Sequence, residues 1–396
     1  MTSADVVVIG GGVNGASTAF HLARAGVKNV ILVERRQLGS GASGKSGALV
    51  RMHYTNPHES RLAMISLTVF QNFTEYTSGG EAGWNEPGFV QIVAPGYEAA
   101  LARNVARQQE LGIDTRVMTP QELQELEPEM FVGDIGAAAY EPHSGFADPN
   151  ATVYGFAMAA QALGAQIWTN CEVTDIIRDG DRVVGVETSK GRIDTEKVVY
   201  AGGAYANPLL AKLGLDFGLF PHRSMVVIFQ WPMGWNHRHV VVIDNIRHTW
   251  LRPEGPRTSL IGVEQPRRDW DPDNYHQGID DEFINVGRAN LAGRFPAFEQ
   301  ATMRGGWSGI YMMSPDGRPI IDQVPSIPGL YVMLGDSGSS FKTAPAIGLC
   351  LAEWITNGEP QSVDLTPFRS TRFAEGKPWV DEDAYSGKKQ LQTISR

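Results

Sequence analysis

Residues 5–36, "DVVVIGGGVNGASTAFHLARAGVKNVILVERR", constrain the fold more than any other stretch. Val6 to Ile9 is an unbroken apolar run, the pattern of a parallel strand buried on both faces. Gly10-Gly11-Gly12-Val13-Asn14-Gly15 comes next as G-x-G-x-x-G. Ala16, Phe20 and Leu22 or Ala23 then recur at helical spacing, Gly26 ends the helix, and "NVILVE" reads as a second strand. A strand–helix–strand unit of about 30 residues is a parallel crossover. In that context Gly10 permits a tight turn, Gly12 admits a pyrophosphate to the backbone, and Gly15 lets helix and strand pack closely. Val13 and Asn14 open the helix, whose free N–H groups favour phosphate. Glu34 closes the second strand, about 20 residues on, where a carboxylate accepts hydrogen bonds from ribose hydroxyls and repels a 2′-phosphate. An adenine dinucleotide is therefore expected here, with Arg35 beside Glu34 as a further contact.

"GSGASGKS", residues 39–46, offers a competing signal. Gly39, Gly44, Lys45 and Ser46 match G-x-x-x-x-G-K-[ST], the loop that wraps nucleotide triphosphates. Such a loop needs a helix starting at its Lys-Ser. The residues after Ser46, "GALVRMHYTNP", make a poor helix, with Gly47, β-branched Val50 and Asn-Pro. The segment is better read as glycine-rich backbone lying against the dinucleotide, with Ser43, Gly44, Lys45 and Ser46 as contacts.

Two further stretches share this character. "DPNATVYGFAMAAQALGA" predicts a helix, followed by short strands in "QIWTNCEVTDIIRDGDRVVGVET" and a buried strand in "KVVYAGGAY". Residues 329–358 predict strand, glycine-rich turn and helix. Between them, "SMVVIFQWP", "HVVVIDN", "HTWLRPEG" and "SLIGVE" predict a mostly antiparallel sheet within about 220–265, and residues 85–140 carry one charged helical segment. The expected fold class is α/β, α+β overall: a Rossmann-type domain (1–84, 141–218 and 316–375) interleaved with a second domain (85–140 and 219–315). Residues 376–396 form a polar tail. A net charge of −10 without a basic block argues against nucleic acid and anionic membranes as partners. No apolar run reaches the roughly 20 residues of a membrane span, and the N-terminus lacks signal-peptide features, so a cytoplasmic location is expected. Cys171 and Cys350 stand alone, which speaks against a disulfide framework or zinc site.

At this point "VVVIGGGVNGASTAFHLARAG", "LGSGASGKSGALVR", "VVYAGGAY", "PDGRPIID", "GDSGSSFKTAPAIG" and "VDLTPFRSTRF" resemble the D-amino-acid oxidase/sarcosine oxidase family of FAD enzymes, over about residues 4–375. The likeness is greatest to monomeric sarcosine oxidase and to sarcosine oxidase β-subunits. The resemblance implies FAD rather than NAD, and a substrate domain whose sheet covers the flavin. It adds Val173, Gly202, Gly335, Gly338, Ser340, Phe341 and Lys342 to the cofactor contacts. It also implies oxidation of a C–N bond by hydride transfer to flavin N5, giving an imine that hydrolyses. The substrate class spans N-methyl amino acids such as sarcosine, cyclic imino acids and D-amino acids. Homo-oligomers and hetero-subunits both occur with such chains, and a β-type subunit of a larger amine oxidase or dehydrogenase is the alternative reading.

By the same resemblance, Arg51 in "GALVR" and Lys342 in "SSFKTAP" bind the substrate carboxylate, and Tyr311 in "WSGIYMMSPDG" contacts the substrate. A guanidinium suits a carboxylate through paired hydrogen bonds. Glycine and D-amino-acid oxidases carry an arginine where Tyr311 stands, so its absence favours the Arg51/Lys342 arrangement. His53, two residues from Arg51, is a candidate for tuning the protonation of the substrate amine or for simple packing. Gly309 occupies the position of the cysteine that tethers FAD in monomeric sarcosine oxidases, so noncovalent FAD is expected. Leu260 aligns with their oxygen-activating lysine, which weakens the expectation of a fast oxidase.

Overall fold

A computed structural model describes residues 2–264 and 271–385. The glycine-rich unit lies at the centre of a six-stranded sheet. Its strands run in the order Ile320–Gln323, Leu330–Leu334, Val198–Tyr200, Val6–Ile9, Val30–Val33 and Gln166–Trp168. All neighbours are parallel except the first pair. The strands read as continuous apolar runs because both faces are covered. Val6, Val8, Val30 and Leu32 pack into one core with the helices Val13–Arg24, Pro149–Ala162 and Ala344–Asn357. Val7, Ile9, Ile31 and Val33 pack into another, against a four-stranded sheet that includes the predicted hairpin Val173–Asp179/Arg182–Thr188.

Local signals set the helix ends. Asp148 caps Pro149–Ala162 by accepting from the Ala151 N–H (2.7 Å), with Pro149 in the first turn, where no N–H is missed. Ala344–Asn357 stops at Gly358, which takes the left-handed conformation (φ 89°). Gly348 lets this helix lie close on Val13–Arg24: a Cβ there would come within 2.3 Å of Ser17 Oγ.

The second sheet has eight strands: Met303–Met313, Phe220–Gln230, Thr258–Glu264, Thr249–Glu254, Val241–Asp244, Phe89–Val93, Ala137–Glu141 and Arg116–Met118. It is antiparallel apart from the junction of Val241–Asp244 with Phe89–Val93. It is therefore larger than the sheet expected within 220–265, gaining strands from both flanking segments. Helix Asp281–Arg294 packs on one face through Phe283 and Leu291. On the other, Val93 and Ala139 meet helix Glu98–Glu110 through Leu101 and Val105. A short ladder, Leu49–Val50 against Gly145–Phe146, lies where the sheets approach. Among the described residues no helix is long and apolar enough to cross a membrane.

Gly15 is the position where side-chain growth is least tolerated near the dinucleotide turn. A Cβ there would sit 1.9 Å from the Gly10 carbonyl oxygen. Gly15→Ala should lower stability by about 1–3 kcal/mol and leave the purified chain depleted in FAD, measured by denaturant unfolding and visible absorbance.

Candidate active site

A trough runs between the two sheets in three overlapping stretches. The first is lined by Glu34, Arg35, Cys171, Val173, Tyr200 and Gly202 among others. The second shares Glu34 and Gly202 with it and continues past Gly10, Gly12, Val13, Asn14, Ser43 and Gly335. The third shares Val13, Asn14, Ser43 and Asp336 with the second and widens beside Lys45, Ser46, Arg51, Gly309, Tyr311, Gly338, Ser340, Phe341 and Lys342.

The middle of the trough is built from backbone. Gly10 takes φ +107°, and a Cβ there would lie 2.3 Å from the Ala201 carbonyl. Gly12 opens the helix without a side-chain cap, so the positive helix end stays accessible. The Val13 N–H donates to Ser43 Oγ (3.0 Å), and the buried Asn14 Oδ1 has no hydrogen-bond partner among the described residues. Glu34 is held by two backbone donors, Gly11 N–H (2.7 Å) and Arg36 N–H (2.8 Å), one to each carboxylate oxygen. Each oxygen keeps a lone pair for a hydroxyl. An open helix end, an orphaned amide oxygen and a fixed carboxylate along one groove suit an extended adenine dinucleotide.

Some predicted contacts shape this groove rather than line it. Gly15 packs on Gly10, and the Gly44 N–H donates to the Gly39 carbonyl (2.9 Å). Ser43–Lys45 is one 3₁₀ turn, and Ser46 is extended, so no helix continues from the triphosphate-like pattern. Lys45 Nζ donates to Tyr275 and Gln277 (3.1 Å for the latter), and its carbonyl accepts from Trp307 Nε1 (2.8 Å). Arg35 pairs with Asp273 and lies 3.7 Å over the Tyr205 ring, so it fastens the segment around Asp273 beside the groove.

The wide end holds two buried cations. Arg51 is 2% exposed and Lys342 7%. Both lie against the ring of buried Tyr54, at 4.6 Å for the guanidinium carbon and 5.4 Å for Nζ. Lys342 Nζ donates to the Ser339 carbonyl (3.1 Å), one turn before helix Ala344–Asn357. Burial, followed by repulsion from Arg51, holds the Lys342 pKa well below the ordinary lysine value, with Glu59 and Asp336 opposing. Asp336, at the junction of the middle and wide stretches, is pushed up to about 6 by burial, with Gly338 N–H and Lys342 opposing. Burial also raises Glu141, whose carboxylate accepts from Met52 N–H (2.9 Å) and Ser144 Oγ and feels the Arg51 charge.

Around these charges the wall is apolar. Trp250 lines the cavity with its indole set between Gly47 and Gly262, where a Cβ would fall 2.1 and 2.2 Å from the ring. Tyr311 enters from strand Met303–Met313, its ring 5.1 Å from that of His222. At Gly309 a Cβ would meet the Lys45 side chain at 3.1 Å. Leu260 is buried in its strand opposite Ile228 and Arg252 and is not among the residues lining the cavity. Of the two readings of His53, tuning the substrate amine or simple packing, its burial fits packing. It is fully buried behind Arg51, lines none of the trough, and is driven down to about 3 by burial and the Arg51 charge. It is not placed to exchange a proton with a ligand. Tyr54, Asp336, Glu141 and Trp250 were not singled out from the sequence. Only Asp336, inside the glycine-rich turn, carried a local signal.

The profile of the FAD-dependent oxidoreductase family known as DAO matches residues 5–354. A sarcosine oxidase β-subunit from Arthrobacter is 28% identical over 94% of this chain and 92% of its own length. Human mitochondrial sarcosine dehydrogenase is 29% identical over 97% of this chain, which spans 43% of that longer protein. Among solved structures, L-proline dehydrogenase from P. horikoshii superposes with a TM-score of 0.87 at 27% identity, covering 96% of this chain and all of its own. Glycine oxidase from Geobacillus kaustophilus gives 0.82 at 26% identity, covering 94% and 99%.

The pair of cations carries a sign. Lys342 holds its proton weakly in the free protein, and an anion beside it restores the proton affinity. Carboxylate binding should therefore take up a proton wherever the pH lies between the two Lys342 pKa values, and affinity should fall as pH rises through that window. Calorimetric titration of a carboxylate in buffers of different ionisation enthalpy measures this uptake, and Lys342→Met should reduce it to what Asp336 contributes.

Proposed function

The chain belongs to the DAO family of FAD-dependent oxidoreductases, and from that premise we propose that it oxidises the C–N bond of a small carboxylated secondary amine, sarcosine-like or cyclic. The observation that carries this reading is the burial of Arg51 and Lys342 in one cavity over the Tyr54 ring. A carboxylate matches the guanidinium fork, and an anion beside Lys342 would favour its protonated form. The Trp250 and Tyr311 side of the cavity is left for the rest of a small substrate.

FAD, when bound, takes up the two electrons removed from the C–N bond. Gly10, Gly12, Val13, Asn14, Glu34, Ser43 and Gly202 are the residues suited to hold its dinucleotide portion, and the chain itself does the positioning. Arg51 and Lys342 anchor the carboxylate, and partly buried Trp250 and Tyr311 restrict water around the reacting carbon. The product imine is released to hydrolyse. Noncovalent attachment is favoured because neither cysteine lines the cavity: Cys171 borders the far end of the trough and Cys350 is buried in helix Ala344–Asn357. We read residues 1–84, 141–218 and 316–375 as the FAD-binding part and 85–140 and 219–315 as the substrate-binding part, a division supported by the membership of the two large sheets. A second reading, a β-type subunit that needs partner chains for turnover, is favoured by the near full-length match to a sarcosine oxidase β-subunit.

Anaerobic mixing of the purified chain with sarcosine, proline and D-amino acids separates these readings. Bleaching of the visible flavin band by an N-methyl or cyclic amino acid supports the first reading. Bleaching by D-amino acids alone overturns the proposed substrate class. Reduction without turnover in oxygen or dye points to missing partners. Charged hydrogen bonds are worth about 1.5–3 kcal/mol, so Arg51→Ala should cut kcat/KM by roughly ten- to a hundredfold with FAD content unchanged.

A further inference from the structure

Residues 376–385 return across the molecule and drive one aromatic side chain into its interior. Tyr385 is 3% exposed and its ring stacks on that of His53, with centroids 5.8 Å apart and an interplanar angle of 24°. Its hydroxyl lies 2.6 Å from His53 Nε2 and accepts from Asn104 Nδ2 at 2.7 Å. The segment is anchored just ahead of this contact. Asp383 pairs with Arg103 (2.6 Å) and Arg107, and Asp381 joins the buried Arg318–Glu59 pair.

The donor inventory fixes the direction of the hydrogen bonds through Asn104. An arginine only donates, so Arg107 Nη1 at 2.9 Å makes its Asn104 neighbour the oxygen Oδ1. The other Asn104 atom is then the amide nitrogen, which donates to the Asp383 carbonyl (3.0 Å) and to Tyr385 Oη. Tyr385 has one proton, and His53 Nε2 is the remaining polar atom beside it. The arrangement that gives this proton an acceptor has the phenol donating to Nε2, which places the ring proton of His53 on Nδ1. Gln108 lies near this ring with its amide nitrogen committed to the Tyr54 carbonyl (2.9 Å), and neither its Oε1 nor His53 Nδ1 has a hydrogen-bond partner among the described residues.

We infer that Tyr385 is a positioning residue for the carboxylate clamp: a one-way chain of hydrogen bonds from Arg107 through Asn104 and Tyr385 holds His53 as the neutral Nδ1–H tautomer behind Arg51. The C-terminal segment thereby completes the active site without touching it. A charged imidazole would place a further positive charge within reach of Arg51, whose field already acts on His53. The tautomer assignment stands on the hydrogen-bond pattern alone. Its consequence for ligand binding rests on the proposed clamp.

The test uses the FAD-loaded full chain labelled with ¹⁵N-histidine, its His53 signals assigned by difference from His53→Gln, with benzoate as an unreactive carboxylate probe followed by flavin absorbance. The wild-type protein should show His53 neutral with the proton on Nδ1. Tyr385→Phe should lose that fixed pattern and bind benzoate about three- to tenfold more weakly, with FAD content and Tm close to wild type. A wild-type His53 that carries its proton on Nε2, or is charged at neutral pH, overturns the inference whether or not the variant folds. So does a folded Tyr385→Phe protein with unchanged His53 signals and unchanged benzoate affinity. Arg51→Ala is run in parallel: if it binds benzoate as wild type does, the clamp reading fails, while the wild-type His53 signals still decide the tautomer.

Discussion

Two cations buried against one aromatic ring set the terms for the rest of this molecule. Removing Arg51 and Lys342 from water is costly unless charge is supplied nearby. The fold supplies it in fragments. Glu141 and Glu59 are buried carboxylates whose fields reach Arg51 and Lys342 respectively, and Asp336 acts on Lys342 as well. Burial nevertheless leaves Lys342 holding its proton less tightly than a solvated lysine. On the proposed function, a bound carboxylate would favour the protonated form.

Both large sheets are needed to make that cavity. The six-stranded sheet delivers the open helix end at Gly12–Asn14 and the turn around Asp336, while the eight-stranded sheet delivers Trp250, Gly309 and Tyr311. Arg51 emerges from the short ladder at Leu49–Val50 where the two approach. Several glycines serve this junction by lacking a side chain, Gly47 and Gly262 around Trp250 in particular. The Arg51/Lys342 end, the glycine-rich groove and the apolar wall therefore come from different parts of the chain.

How much of this was legible in the sequence depended on whether a feature is local. The crossover at 5–36, the helix within "DPNATVYGFAMAAQALGA" and the strand, turn and helix of residues 329–358 are all written within a few residues, and each appears where expected. The triphosphate-like pattern at 39–46 could be set aside on equally local grounds, and Ser46 is indeed extended. Strands Phe89–Val93 and Ala137–Glu141 were missed because all or nearly all of their residues are buried, which erases the polar alternation that marks a half-exposed strand. Helix Pro120–Leu126 was legible in principle from its Thr119/Glu122 capping box. Arg51, Lys342 and Tyr311 were reachable through family resemblance. Tyr54, Glu141 and Tyr385 were not, because their meaning lies in contacts between segments as far as 332 residues apart, as for His53 and Tyr385.

The central claim concerns where a carboxylate sits. A crystal structure of the FAD-loaded chain with an unreactive carboxylate tests this most directly. Both carboxylate oxygens should lie within about 3 Å of the Arg51 guanidinium and the Lys342 ammonium, beside the flavin ring. A carboxylate bound away from both cations, or a flavin ring lying outside the cavity that holds them, would contradict the claim.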